Sequence, residues 1–315
     1  MNTQQNKPSR ALSFHEAESR CELVFQRNGP YFHLCTPGEQ TEILFEDEED
    51  FRFAMNLVAF CTWQSPGVTI LTFEIMGNHL HLVMSGERER LLAWFDLFKR
   101  RLRRYFMDKG IVKDLSCFDA SLFPIDNLEA LRNTLAYVNR NGYLVDARYT
   151  PFSYPWGANR FFFHPDISHL QATRYKDLTF REKRHLFRSH DIDYPDNHLI
   201  MDGYILPTSF CDLVLAESMF HSARNYFFLL SRNVEAYRSI ANQLGDLVFY
   251  TDDELFLAVR QLCKDTYGIS RPSALPKEAK WNIARKMHFD YQARNKQIQR
   301  MLRLEEREIT ALFGK

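Results

Sequence analysis

The chain has no surplus of charge of either sign. Forty Lys and Arg stand against forty Asp and Glu in 315 residues. That balance excludes a globally basic nucleic-acid binder, so any contact with a polyanion must come from local patches. Paired cysteines are missing too. Cys21, Cys35, Cys61, Cys117, Cys211 and Cys263 form no C-x-x-C and no zinc-like spacing. Scattered cysteines of this kind are expected as buried thiols in a reducing, cytosolic setting. No run of eighteen apolar residues occurs, so no membrane span is expected. Residues 1–10 are polar, which argues against a secretory signal. Internal repeats and low-complexity blocks are absent.

What remains is ample material for a core: 45% hydrophobic and 14% aromatic residues, 27 of them Phe. The length is a soft prior for two domains or one large one. Residues 1–20 read as a flexible tail, and Tyr31–Thr36 as a first strand. Seven acids without a base lie between Glu39 and Asp50. They suit the start of a helix, where the dipole favours negative charge, and Phe51 to Cys61 continue it. "GVTILTFEIM" (67–76) and "NHLHLVMS" (78–85), parted by Gly77-Asn78, predict an antiparallel hairpin. A helix follows from about Glu87 to Asp108 and stops at Gly110. Its stripe is Leu91, Phe95, Phe98, Leu102 and Tyr105. A further helix runs over 127–145, with Asn127 as cap, Leu128, Leu131, Leu135 and Val138 as its stripe, and Gly142 as its stop. The order β-α-β-β-α-α predicts an α+β fold: an antiparallel sheet with helices on one face.

His79 and His81 are two apart on the second hairpin strand, so they share a face about 7 Å apart at Cα. Leu80 and Leu82 take the opposite face. From the residues alone, two readings stay open. One is a pair of ordinary histidines on a solvated face. The other is two ligands of a metal site whose third ligand comes from elsewhere.

Lys99, Arg100, Arg101, Arg103 and Arg104 put five cations into six positions, off the apolar stripe. The like-charged i,i+4 pairs repel each other. A polyanion would relieve that repulsion, and so would a simple solvated face. Tyr137 and Asn141 are one helical turn apart and share a face. Tyr137 is either half-buried packing or a nucleophile, and a phenol of pKa about 10 needs an activated target.

Taken in order, "EIMGNHLHLVM", "FKRRLRRYF" and "LAYVNRNGYLVDARYTPFSYPW" resemble the motifs of the single-tyrosine HUH transposases. These are the insertion-sequence type and its REP-associated relatives. The resemblance covers about residues 20–165. It implies a ferredoxin-like HUH nuclease domain. His79, His81 and Asn141 would hold a divalent cation, Mg²⁺ or Mn²⁺, and Tyr137 would attack a DNA phosphate. It further implies metal-dependent nicking and strand transfer on single-stranded or hairpin DNA, in a cytoplasmic, nucleoid-associated protein with no membrane contact. Related enzymes act as monomers or as dimers that exchange tyrosine helices, so a homodimer is among the allowed states. Gly77 stands where the family usually has proline. Gly142-Tyr143-Leu144 replaces Pro-x-Arg, which removes a cation near the site and leaves Tyr143 as a rival nucleophile.

The domain reading is a tail over 1–20, a catalytic domain over 21–165, a helical middle region over 166–270 and a basic segment over 271–315. Thr251-Asp-Asp-Glu254 is a capping-box signature within the middle region. The last segment carries eleven Lys/Arg against five Asp/Glu. Its two short helices, meeting near Leu302-Arg303-Leu304, resemble a helix-turn-helix, with Lys296 and Arg300 as candidate DNA contacts. Two other functions compete with a transposase-like nuclease. One is a domesticated DNA-binding or regulatory protein with little catalysis. The other is a metal-dependent phosphoesterase, which leaves Tyr137 without a role.

Overall fold

The computed structural model describes residues 13–38, 41–145, 149, 153–164, 170–232, 252–291 and 293–314. At its centre is an antiparallel sheet of β1 (Tyr31–Cys35), β2 (Thr69–Ile75), β3 (Leu80–Ser85) and β4 (Ser121–Ile125), in the order β2-β3-β1-β4. Helix α1 (Phe14–Asn28) precedes β1. Helix α2 (Glu48–Trp63) joins β1 to β2, α3 (Arg88–Asp108) joins β3 to β4, and α4 (Leu128–Val145) follows β4. From β1 to β4 this is the βαββαβ order of a ferredoxin-like sandwich.

The structure corrects three expectations. The tail expected over 1–20 is helical from Phe14, because Ser13 and Glu16 form a reciprocal capping box and Cys21 is buried. Residues 1–12 lie outside the described residues. Strand β4 falls where the sequence reads as loop. Its Pro124 cannot donate to a ladder, and β4 is an edge strand, where that is tolerated. Finally, helices cover both faces of the sheet, not one. Every residue of β1 and β3 is buried, which no half-solvated sheet allows.

Alternation and register sort the two faces. Leu34, Leu82 and Phe73 line up across β1, β3 and β2, joined by Phe32, Leu80, Met84 and Ile75. This face is wholly apolar; α2 packs on β2, and α3 packs on α2. Tyr31, His33, Cys35, Val83, His81, Thr72 and Glu74 make the other face, which α4 covers. The free edge of β2 is closed by later chain. Ile75 N–H donates to the Trp156 carbonyl at 2.9 Å and Ala158 N–H to that of Phe73 at 3.0 Å. Further along, Asp212 N–H donates to the Ile70 carbonyl at 2.9 Å. An open strand edge is thereby avoided.

The middle region is not purely helical. It begins with a small sheet of β5 (Thr173–Arg174), β6 (Leu199–Met201) and β7 (Tyr204–Ile205), interrupted by α5 (Phe180–Phe187). Buried Asn56 of α2 binds this sheet, accepting from Ile205 N–H at 2.9 Å and donating to the Gly203 carbonyl at 3.1 Å. Helices α6 (Leu213–Ser218), α7 (Ala223–Arg232) and α8 (Asp252–Tyr267) follow. The cap expected at Thr251 and the expected boundary at 165–166 lie outside the described residues. The chain closes with α9 (Lys277–Phe289), α10 (Asn295–Leu302) and α11 (Glu306–Phe313), where Ile298, Leu302, Leu304 and Ile309 are buried. No disulfide forms; five cysteines are buried and Cys117 is exposed.

The acidic helix start is solvated apart from Asp50, which is 4% exposed. Its carboxylate takes the Tyr105 hydroxyl and the Lys109 ammonium, each at 2.7 Å, and Glu46 N–H at 3.0 Å. Burial pushes the acid up, but the Lys109, Tyr105 and Glu46 hydrogen bonds outweigh it and hold it below the ordinary aspartate value. An acid depressed in the folded state stabilises above its unfolded value, and that stability is lost as pH falls through the folded one. Asp50→Asn is therefore expected to cost about 3 kcal/mol at pH 7 in urea unfolding. It is also expected to flatten the acid limb of stability below about pH 4.

Candidate functional site

The hairpin brings the two histidines together. Met76 N–H donates to the His79 carbonyl at 2.9 Å, so His79 ends the turn and His81 sits within β3. Their ring centroids are 5.2 Å apart and the planes nearly perpendicular, at 89°. His79 Nδ1 lies 2.7 Å from Asn78 Oδ1. The Asn78 amide donates in turn to the Gly38 carbonyl at 2.6 Å and the Thr41 carbonyl at 3.2 Å. A methyl group on Gly38 would lie 2.9 Å from His79 Nδ1, so only glycine leaves the ring its room.

A third histidine joins them, one that sequence reasoning missed. His33 of β1 is buried, and its Nε2 lies 3.1 Å from His81 Nδ1. One proton serves that contact. When His81 Nδ1 carries it, His33 accepts, and the lone pair of His81 is on Nε2. The outer-shell partner of a metal-binding imidazole characteristically fixes the ring in this way. "YFHLC" carries no hint of it; only the register of β1 on β3 places His33 beside His81.

Helix α4 supplies the rest. Asn127 caps it, its Oδ1 accepting from Ala130 N–H at 2.8 Å. The Tyr137 ring stands edge-on to both imidazoles, 5.7 Å from His81 and 6.0 Å from His33. It is 1% exposed. Asn141 is one turn further on and half-buried. Between them Asn139 receives the Thr72 hydroxyl and donates to the Tyr226 hydroxyl at 2.8 Å, tying α4 to β2 and to α7. Arg140 is buried at 1% exposure.

Gly142 does not stop the helix, which continues to Val145. Its N–H donates to Glu74 Oε2 at 2.7 Å. A methyl group at 142 would overlap that oxygen and the Tyr154 ring. Position 142 therefore needs both an N–H and an empty Cβ. Side chains of 143–145 lie outside the described ones, so Tyr143 is not placed.

The five cations of α3 divide. Lys99 is paired with Asp119 at 2.5 Å, and Arg101 with Asp191 at 3.0 Å while stacking 3.9 Å above Phe60. These two tie α3 to its surroundings. Arg100, Arg103 and Arg104 are exposed and make no ion pair among the described residues. Arg104 faces a groove of about 1040 Å³ whose other wall, from α5, carries Arg181 and Arg184. Lys296 and Arg300 are both exposed on α10, one turn apart.

Elsewhere, Glu18, Cys21 and His221 bring ligand atoms within 4.8 Å of one another. Both Glu18 oxygens are already held by the Arg132 fork, at 3.0 and 2.9 Å, and His221 Nε2 lies 2.9 Å away. That group is a salt-bridged tie between α1, α4 and the turn before α7.

The site is a buried histidine–tyrosine cluster between an antiparallel sheet and an added helix of an α+β fold. A solved structure similar to this chain is that of a REP-associated tyrosine transposase bound to a REP hairpin. The identity is 11% and the TM-score 0.34, covering 56% of this chain and 94% of that one. No protein-family model and no curated protein matches the sequence. Among the described residues no helix is long and apolar enough to cross a membrane.

Proposed function

We propose that this chain nicks single-stranded, hairpin-forming DNA in a metal-dependent reaction and transfers the broken strand through a 5′-phosphotyrosine link. The observation that carries this reading is the meeting of Tyr137 with His81, whose ring is in turn beside that of His79. The donor set fits a divalent cation. Nδ1 of each ring is engaged by the protein, which would leave the metal bonds to Nε2 of His79 and His81, and Asn141, one turn of α4 beyond Tyr137, is the candidate for a third. Imidazole suits Mn²⁺ better than Mg²⁺, which prefers oxygen. A bound ion would withdraw charge from a phosphoryl oxygen and make the phosphorus more electrophilic.

The residues then divide the work. His33 holds the His81 ring and its tautomer. Tyr137 forms a phosphorus–oxygen bond as the bond to the 3′ oxygen breaks; the phenol proton is lost and the departing 3′ oxygen gains one. The phosphotyrosine conserves the ester bond, so a 3′-hydroxyl attacking it rejoins strands without ATP. Arg104 of α3 lines one groove with Arg181 and Arg184 of α5, and under this reading those cations, with Arg100 and Arg103, would neutralise backbone phosphates.

The covalent product is the test. With hairpin-forming single strands and Mn²⁺, a protein–DNA adduct is expected on a denaturing gel, and none with EDTA. The burial of Tyr137 favours a second reading, a DNA-binding protein without chemistry; tight binding without adduct in either condition would establish it. The triple change Arg100→Gln, Arg103→Gln, Arg104→Gln is expected to weaken binding. The slope of log affinity against log salt should become shallower by about 0.7 for each phosphate no longer neutralised.

A further inference from the structure

One cluster of ligand-bearing side chains has no part in the proposed reaction. It lies where α1, α4 and the turn before α7 meet. Of the fifteen residues of α1, only Cys21 is buried. Glu18 stands one turn before it on the same face. A carboxylate oxygen of Glu18, the Cys21 sulfur and a ring nitrogen of His221 all lie within 4.8 Å of one another. No other three His, Cys, Asp or Glu side chains are so grouped among the described residues.

The ion pairs of this cluster leave it half satisfied. Nε2 of His221 lies 2.9 Å from Glu18, but Nδ1 is buried with no hydrogen-bond partner among the described residues. A buried ring nitrogen in that state carries a desolvation cost. Arg132 does not close the site. Its fork holds Glu18 at 3.0 and 2.9 Å, and its Nε donates to the carbonyl of Met219, two residues before His221. An ionised carboxylate has about four lone-pair sites, so the fork does not exhaust it. Ligating carboxylates are commonly steadied by outer-shell hydrogen bonds of this kind. The Phe14 ring covers the imidazole at 4.7 Å, while the Glu18 side chain, 40% exposed, leaves an ion a way in.

We propose that Glu18, Cys21 and His221 form a zinc site that pins α1 to the turn before α7. Sulfur, nitrogen and oxygen donors together suit Zn²⁺, whereas Mg²⁺ and Mn²⁺ prefer oxygen. Zinc bonds of about 2.0–2.3 Å set tetrahedral ligands about 3.3–3.6 Å apart, which asks only a modest closure of the side chains. On binding, the Cys21 thiol gives its proton to solvent and the ion takes the thiolate; His221 binds as neutral imidazole. The site is separate from the histidine–tyrosine cluster and does not rest on the reading of that cluster.

Co²⁺ titration of the full chain under reducing conditions tests this, because cobalt bound to a thiolate gives a near-ultraviolet charge-transfer band. Wild type is expected to develop the band and to lose it to excess Zn²⁺. His79→Ala should keep it, since the cobalt responsible is not held by the hairpin histidines. Cys21→Ser and His221→Gln should each abolish it, and Glu18→Gln should need at least tenfold more Co²⁺ to reach half intensity. His221→Gln, at a partly exposed position, carries the test should Cys21→Ser not fold. No band from wild type, a band lost in His79→Ala, or one that survives in folded Cys21→Ser or His221→Gln would overturn the proposal. So would a Co²⁺ dependence unchanged by Glu18→Gln.

Discussion

Tyr137→Phe is expected to leave a folded protein that forms no covalent adduct with DNA. The aromatic ring keeps its edge-on contacts with His81 and His33, so packing in the cluster persists. Only the hydroxyl is removed, at a stability cost of about 1 kcal/mol. Chemistry has no such reserve, because a phenyl ring offers no oxygen to phosphorus. With end-labelled hairpin DNA and Mn²⁺, the retarded band on a denaturing gel should fall to background. Non-covalent binding in a native gel should be unchanged. An adduct that survives would remove Tyr137 from the mechanism and turn attention to Tyr143.

Gly142→Pro is expected to be severely destabilising, although proline is the residue the family resemblance would place there. Proline inside a helix costs about 3 kcal/mol through its missing N–H and its clash with the preceding turn. Here the missing N–H is the one given to Glu74, and the ring would enter space held by Glu74 and Tyr154. Gly142→Ala isolates the steric part. Alanine is the better helix former by about 1 kcal/mol, yet overpacking of about 1–3 kcal/mol should outweigh that. Urea unfolding measures both. Combining Gly142→Ala with Glu74→Ala, which vacates the contested space, should return part of the stability. Simple additivity of the two changes would show that the sites are not coupled.

The parts of the fold set by local pattern were legible in the sequence. The stripe of α3, the hairpin turn at Gly77-Asn78, the Asn127 cap and the opposite facing of His81 and Leu82 follow from periods of 3.6 and 2. What escaped depends on partners distant in the chain. His33 acquires meaning only through its register beside His81, and Glu74 only through its place across from it. Strand β4 is short, and Pro124 disguises it. Gly142 reads as a helix stop because glycine so often is one; its use as a gap for a buried carboxyl is invisible without the opposing strand. Of the five cations on α3, the sequence shows the charge but not that Asp119 and Asp191 claim two of them.

Helix α4 is held along its length by its own chain: to β2 through Thr72 and Glu74, to α7 through Tyr226, and to α1 through the Arg132–Glu18 fork. Lending α4 to a neighbouring copy would mean breaking every one of these ties, so under the proposed chemistry the adduct yield per chain is expected to stay constant on dilution.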